Sequence, residues 1–196
     1  MISIDTKQTI EVVEVIYDRI TNIISIAEQY GMKEVIVQNL TINVSKDNSK
    51  IEYNLNVKKA KFPDYPLFQM KLNEAAYTTD KGEAVTYLKS YSYQGFHIEN
   101  KEDAKKHFIR FDFEPFKKKY APVHINAPEQ EWGDHLTYPD STNLDISKMS
   151  FPIAVEVFHR YAKDKNDYPV NEKTNMHYVE IFENGGKDNE RIEVKL

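Results

Sequence analysis

The chain has 196 residues, of which 40% are hydrophobic and 29% charged. These proportions are ordinary for a soluble globular protein, and the length suits a single domain over residues 1–196. A net charge of −5 excludes a global basic field for nucleic acid, so any such contact would need a local patch. The absence of cysteine excludes disulfides, thiol nucleophiles and cysteine-based zinc sites.

The first residues lack the basic start and apolar core of a signal peptide. No apolar run reaches the roughly 18 residues that a membrane-spanning helix needs. We therefore expect a cytoplasmic protein that does not contact a membrane.

A long amphipathic helix is predicted from Thr6 to Tyr30, with Gly31 as the residue that ends it. Its apolar stripe recurs at steps of three and four residues: Ile10, Val13, Ile16, Ile20, Ile23 and Ala27. Many of these residues are β-branched and lower the intrinsic helix propensity, so the helix needs tertiary packing, most plausibly across a sheet. A coiled-coil dimer is the alternative, although about three heptads is short for one.

Alternation of apolar and polar residues predicts the strands that follow. The predicted strands are 36–44, 51–57, 67–72 and 87–94. Turn-forming residues are found at Lys46–Lys50 and Asp80–Gly82. In the fourth strand, alternation puts Tyr87, Tyr91 and Tyr93 on one face. We favour tyrosines packed on a half-exposed sheet, and the alternative makes Tyr91 and Tyr93 an aromatic wall that binds a ligand.

Two further segments alternate strictly, His107–Glu114 and Pro122–Asn126. Ile109, Phe111 and Phe113 point to one face of the first, and Val123 and Ile125 to one face of the second. If the two strands pair and share one core, Arg110, Asp112, His124 and Asn126 gather on the opposite, wetter surface. This polar group is the candidate functional site.

The residue types in this group suit phosphodiester chemistry without a metal. His124 could act as general base or acid because its ordinary pKa is near neutrality. Arg110 could hold a phosphate through two hydrogen bonds, Asp112 could orient either residue, and Asn126 could contact the ligand. Composition alone favours a purely structural alternative, in which Arg110 and Asp112 form an ion pair that His124 covers.

A metal site built from Asp112, His124 and His135 is a less favoured alternative, since no compact ligand spacing supports it. We therefore predict no metal and no cofactor. Lys117–Lys119 lies between the two strands, and we interpret it as a solvated loop rather than a basic patch.

The last third of the chain predicts a second helix near 150–163. Ser150 can cap its N-terminus, with Pro152 in the first turn. A final hairpin is predicted from Met176–Phe182 and Arg191–Leu196, around Asn184 and two glycines. This order predicts an α+β fold, with a curved antiparallel sheet packed against the N-terminal helix and the second helix.

The segment from Tyr87 to Tyr161 resembles a loose group of bacterial families of unknown function, including TumE-like toxin components of toxin–antitoxin pairs. The resemblance is carried by Tyr91-Ser-Tyr-Gln94, Phe108-Ile-Arg-Phe-Asp112 and Pro122-Val-His-Ile-Asn126. Asn126 stands where that group has the second histidine of a His-x-His motif. The resemblance implies a small cytoplasmic protein of toxin–antitoxin or phage-defence loci, with Arg110, Asp112 and His124 as the inherited site.

Two functions follow as expectations. The first is a toxin-like or defence-associated protein that acts on nucleic acid or nucleotides, with an antitoxin or another protein as partner. The second is a non-catalytic protein that binds a protein or a small ligand, associated with a phage or a mobile element.

Overall fold

The computed structural model describes residues 6–44, 50–79 and 86–185, with side chains for 16–43, 51–77 and 87–185. The helices are α1 (Thr6–Gln29), α2 (Lys33–Asn39), α3 (Asp103–Lys106), α4 (Glu129–Trp132), α5 (Phe151–Tyr161) and α6 (Met176–Asn184), with one turn of 3-10 helix at Ile146–Lys148. The strands are β1 (Leu40–Val44), β2 (Lys50–Phe62), β3 (Tyr65–Thr79), β4 (Thr86–His97), β5 (Phe108–Phe113) and β6 (Val123–Asn126).

The six strands form one antiparallel sheet in the order β1-β2-β3-β4-β5-β6, so every strand pairs with its neighbours in sequence. A tight hairpin joins β2 to β3, where Phe62 pairs with Tyr65 across Pro63 and Asp64. Proline suits this turn because its fixed φ matches the first central position of common tight turns. The predicted α+β fold with an antiparallel sheet is confirmed.

One face of the sheet, here the inner face, carries the hydrophobic core. The register aligns one apolar row across five strands: Val57, Leu72, Tyr93, Phe111 and Ile125. All five side chains are buried, with at most 1% of their surface exposed. The Phe158 ring of α5 packs over this face, 6.0 Å from the ring of Phe111. The opposite face is here called the outer face, and the row beside the apolar row is polar there: Asn56, Asn73, Ser92, Asp112 and His124.

Both predicted helices pack on the core. Helix α1 buries Ile23 and Ala27 in the same apolar cluster as α5 and the sheet. Gly31 follows its end at a φ of 70°, a conformation that glycine adopts at little cost. Helix α5 begins as predicted, because the amide of Ile153 donates to Ser150 Oγ at 3.5 Å.

Several predicted boundaries differ from the structure. Residues 33–39 form α2, so the first strand begins only at Leu40. The predicted strands 67–72 and 87–94 lie inside the longer strands β3 and β4. A register shift between Ala75 and Ala76 pairs Tyr77 with Tyr87 and Ala75 with Ser90. The prediction that Tyr87 shares a face with Tyr91 is therefore wrong.

The predicted strand at Met176–Phe182 is wrong, because this segment forms α6. Tyr178 and Phe182 are four residues apart and thus lie on one side of a helix, where both are buried in the core. The predicted strand at Arg191–Leu196 lies outside the described residues, and so do the predicted turns at Lys46–Lys50 and Asp80–Gly82, apart from Lys50. The predicted hairpin turn at Asn184 is wrong, because Asn184 is the last residue of α6. Among the described helices, none is both long and apolar enough to cross a membrane.

Candidate functional site

The register of β4, β5 and β6 brings the predicted site residues onto the outer face. Asp112 pairs with Ser92 on one side and with His124 on the other. Arg110 pairs in the same way with Asn126. Since directly opposed residues of antiparallel strands share a face, Arg110, Asp112, His124 and Asn126 form two adjacent polar rows. The predicted strand pairing and shared face are confirmed, and the roles of these residues stay predictions.

The carboxylate of Asp112 is the centre of this group. Arg110 Nε and Asn126 Nδ2 both donate to Asp112 Oδ2, each at 2.7 Å. The Asp112 side chain is 2% exposed, whereas that of Arg110 is 38% exposed. The ion pair between them therefore fixes the guanidinium at the surface while the carboxylate stays covered.

His124 is buried and held by one ring nitrogen only. Nδ1 lies 2.8 Å from the carbonyl oxygen of Ala121, so it carries the proton and donates. Nε2 lies 3.7 Å from Asp112 Oδ2, too far for a hydrogen bond, and has no other partner among the described residues. Burial lowers the pKa of His124 below its ordinary value, against the opposing effects of Ala121 and Asp112.

A layer of aromatic rings covers His124. The ring of Tyr120 lies 4.6 Å from that of His124 and stacks on His135 at 4.1 Å. Tyr120 also donates to Glu114 Oε2 at 2.9 Å, and Lys117 Nζ lies 2.6 Å from Glu114 Oε1. Burial of the Glu114 carboxyl opposes its ionisation, but the bonds from Lys117 and Tyr120 prevail and lower its pKa.

The donor atoms that lie closest together differ from the predicted metal alternative. Among the described residues, Asp112, Glu114 and His124 place one ligand atom each within 4.8 Å of the others. His135 contacts the ring of His124 at 4.9 Å but is not a member of this cluster. Strand alternation places Glu114 on the face of Asp112, two residues away, and this is the signal that could have identified it.

A groove of about 450 Å³ runs along the outer face beside these residues. Small amide and hydroxyl side chains line it: Asn54, Asn56, Asn73, Ser90 and Ser92. Glu114 lines the end nearest Asp112. The register connects groove and site in one row, in which Asn56, Asn73, Ser92, Asp112 and His124 are successive partners.

The groove residues were not among the predicted site residues. A signal for them exists, because Asn54 and Asn56 alternate with Tyr53, Leu55 and Val57 along one strand. Ser90 and Ser92 likewise precede Tyr91 and Tyr93. Small polar residues at every second position predict a face without bulky side chains, which leaves room above the sheet.

The rings of Tyr91 and Tyr93 are not brought together with the other predicted site residues, although Tyr91 is among the residues that line the groove. Both lie on the inner face, where Tyr91 is 5% and Tyr93 0% exposed, and their rings stack at 4.7 Å. A ligand on the outer face therefore has the sheet between itself and these rings. The favoured expectation of a half-exposed tyrosine face is wrong, because the inner face is covered by the core helices.

Tyr93 belongs to a buried polar cluster that the sequence did not predict. Its hydroxyl donates to Glu74 Oε2, and Tyr53 donates to Glu74 Oε1 at 2.5 Å. Arg19 of α1 donates to Glu74 Oε1 at 2.8 Å and to the Tyr53 hydroxyl at 3.1 Å. Burial raises the pKa of Tyr53 and of Tyr93, so both hydroxyls keep their protons and donate.

Comparison of the chain with protein-family models, with curated proteins and with solved structures finds no significant match.

Proposed function

We propose that this protein binds a nucleotide or a nucleic-acid strand in the outer-face groove and acts on it as a toxin-like or defence-associated enzyme. The bacterial, cytoplasmic setting and an antitoxin-type protein partner come from the resemblance over Tyr87–Tyr161. The observation that carries the proposal is the groove itself. Its lining residue Ser92 is the cross-strand partner of the buried carboxylate of Asp112, which in turn pairs with His124. The guanidinium of Arg110 lies in the adjacent row.

The lining of the groove suits the sugar and base edges of a nucleotide. Asparagine amides both donate and accept hydrogen bonds, and serine hydroxyls do the same. Asn56, Asn73 and Ser92 offer these groups side by side on three neighbouring strands. An apolar ligand would leave them unpaired, which costs binding free energy.

Arg110 supplies a binding group for phosphate. Asp112 accepts from its Nε, and the terminal amino groups form no hydrogen bond within the part of the chain that the structure describes. A guanidinium held in one orientation can donate two parallel hydrogen bonds to a phosphate. Arg110 thus places a cationic hydrogen-bond donor in the row next to the groove residues.

Isothermal titration of the full chain with nucleoside mono-, di- and triphosphates and with short RNA and DNA strands tests this proposal. We expect Arg110→Ala to weaken binding roughly 10- to 150-fold, the value of a hydrogen bond to a charged group. Arg110→Lys should lie between, because it keeps the charge and loses the paired geometry. Lys148→Ala is the matched control, since it removes an exposed cation whose partner is Asp145. Equal affinities in all four proteins would refute the proposal.

A second candidate function is non-catalytic binding of a small ligand or a protein. The burial of His124, 1% exposed, favours it, because a general base must come within hydrogen-bond reach of its substrate. Catalysis by His124 thus requires the covering Tyr120 to move aside.

Chromatography of the bound ligand after incubation separates the two functions. The enzyme function predicts a modified ligand, and it predicts that His124→Gln abolishes turnover while affinity is kept. The binding function predicts that the ligand is recovered intact from the wild type. Thermal unfolding of His124→Gln serves as the control, because replacement of a buried side chain also lowers stability.

A further inference from the structure

We propose that Asp112, Glu114 and His124 form a binding site for one divalent transition-metal ion at the end of the outer-face groove. The site stands on its own geometry and does not depend on whether the groove binds a nucleotide. It also departs from the prediction of no metal that the sequence supported.

The orientation of His124 carries the inference. Its Nδ1 donates to the backbone carbonyl of Ala121, which leaves the lone pair of Nε2 free, with a carboxylate oxygen of Asp112 at 3.7 Å. No hydrogen bond joins these two atoms, whereas imidazole nitrogens and carboxylate oxygens are both common ligands of divalent transition metals. The His124 side chain has no exposed surface, and its Nε2 has no hydrogen-bond partner among the described residues. Metal-binding histidines commonly anchor their other nitrogen on a backbone carbonyl in this way.

The two carboxylates complete a compact set of donors. Asp112 and Glu114 are two residues apart on one strand and so share a face, and His124 is the cross-strand partner of Asp112. One ligand atom from each lies within 4.8 Å of the others. Ligand distances of about 2.0–2.2 Å place neighbouring donors roughly 3–4 Å apart, so small side-chain rotations suffice to close the set around an ion.

Neighbouring groups orient both carboxylates. Asp112 accepts from Arg110 and Asn126, and Glu114 accepts from Tyr120. Second-layer hydrogen bonds of this kind fix the ligands of metal sites. Lys117 Nζ now neutralises Glu114, and its side chain is 57% exposed, so it can move away when an ion enters.

The donor set identifies the class of metal. One imidazole and two carboxylates suit Mn²⁺, Fe²⁺ or Zn²⁺, whereas Mg²⁺ and Ca²⁺ favour oxygen donors alone. Three protein ligands leave coordination positions for water or for a ligand. Because Glu114 also lines the groove, a bound ion would be reached from there.

Calorimetric titration of the chelator-treated full chain with Mn²⁺, and separately with Zn²⁺ and Mg²⁺, tests the proposal. We expect one Mn²⁺ or Zn²⁺ per chain, and weaker binding of Mg²⁺. Glu114→Gln and His124→Gln should each lower the affinity for the ion at least tenfold. Lys117→Ala should raise that affinity roughly two- to fivefold, because it removes a cation that competes for Glu114 at the surface. His177→Gln is the matched control, because His177 is an exposed histidine that faces Glu180 on α6.

Glu114→Gln keeps the test informative if His124→Gln does not fold, since Glu114 is only partly buried. ¹⁵N NMR of the metal-free wild type gives a second readout, and we expect no proton on His124 Nε2. The proposal is overturned if no ion binds, if Glu114→Gln binds as tightly as the wild type, or if His177→Gln is the variant that loses the ion.

Discussion

The buried ion pair between Arg19 and Glu74 provides a stringent test of the core. Replacement of Arg19 by methionine keeps much of the apolar stem and removes the charge. The carboxylate of Glu74 has no exposed surface and Arg19 is 6% exposed. In the variant, the hydroxyls of Tyr53 and Tyr93 are the donors to that carboxylate that remain among the described residues.

Removal of one partner from a buried ion pair costs about 3–5 kcal/mol, because the other charge stays buried without compensation. For a chain of this length, each kcal/mol lowers the Tm by roughly 2–4 °C. We therefore expect Arg19→Met to lower the Tm by roughly 6–20 °C. The double variant Arg19→Met with Glu74→Gln should recover at least half of that loss, since no uncompensated charge remains. The amide oxygen can accept from one tyrosine hydroxyl and the amide nitrogen can donate to the other.

Urea denaturation of the wild type, both single variants and the double variant gives the coupling free energy of the pair. Lys33→Ala is the control, because Lys33 and Glu28 form an ion pair whose side chains are 51% and 61% exposed. Such surface pairs contribute at most about 1 kcal/mol. A loss below about 1 kcal/mol in Arg19→Met would show that the charge is not buried and that α1 does not pack on the inner face as described.

Three further predictions concern single positions. Gly95→Ala should cost about 1–3 kcal/mol in urea denaturation, because its new Cβ would lie 2.6 Å from Phe158 and 2.7 Å from Phe68; an unchanged midpoint would contradict this packing. Ser150→Ala should cost about 1 kcal/mol through loss of the α5 cap, and Ser150→Thr, which keeps the hydroxyl, should lose much less. Burial lowers the pKa of His97, so its contribution to stability is complete above the unfolded-state pKa and declines as the pH falls through the folded-state pKa. The difference in unfolding free energy between wild type and His97→Gln should therefore shrink on acidification, and a pH-independent difference would refute it.

Sequence alternation was sufficient to place the site residues on one face. Arg110 and Asp112 alternate with Ile109 and Phe111. Alternation of polar and apolar residues with a period of two is typical of a half-buried strand. The same signal failed at Met176–Phe182, where the spacing of Tyr178 and Phe182 fits a helix as well as a strand. Short apolar segments are ambiguous in this way until tertiary packing decides.

Contacts between distant segments could not be predicted from local pattern. Arg19 and Glu74 are 55 residues apart, and a glutamate at position 74 looks solvent-facing until α1 is docked over the sheet. The same holds for Tyr120, which covers His124 only because the segment between β5 and β6 folds back over the outer face. A local pattern indicates which face a residue occupies, whereas the docking of other elements determines what covers it.

NMR of the side-chain amides tests most directly whether the outer face is the functional surface. Asn54, Asn56 and Asn73 each give a resolvable pair of NH₂ signals in a ¹⁵N correlation spectrum, and all three line the groove. Titration with the tightest-binding nucleotide should shift these signals together with the Arg110 Nε–H. The sample contains Zn²⁺ instead of Mn²⁺, because Zn²⁺ is diamagnetic. Shifts confined instead to the cleft between α5 and α6, which is lined by His159, Arg160, Lys163 and His177, would contradict the account.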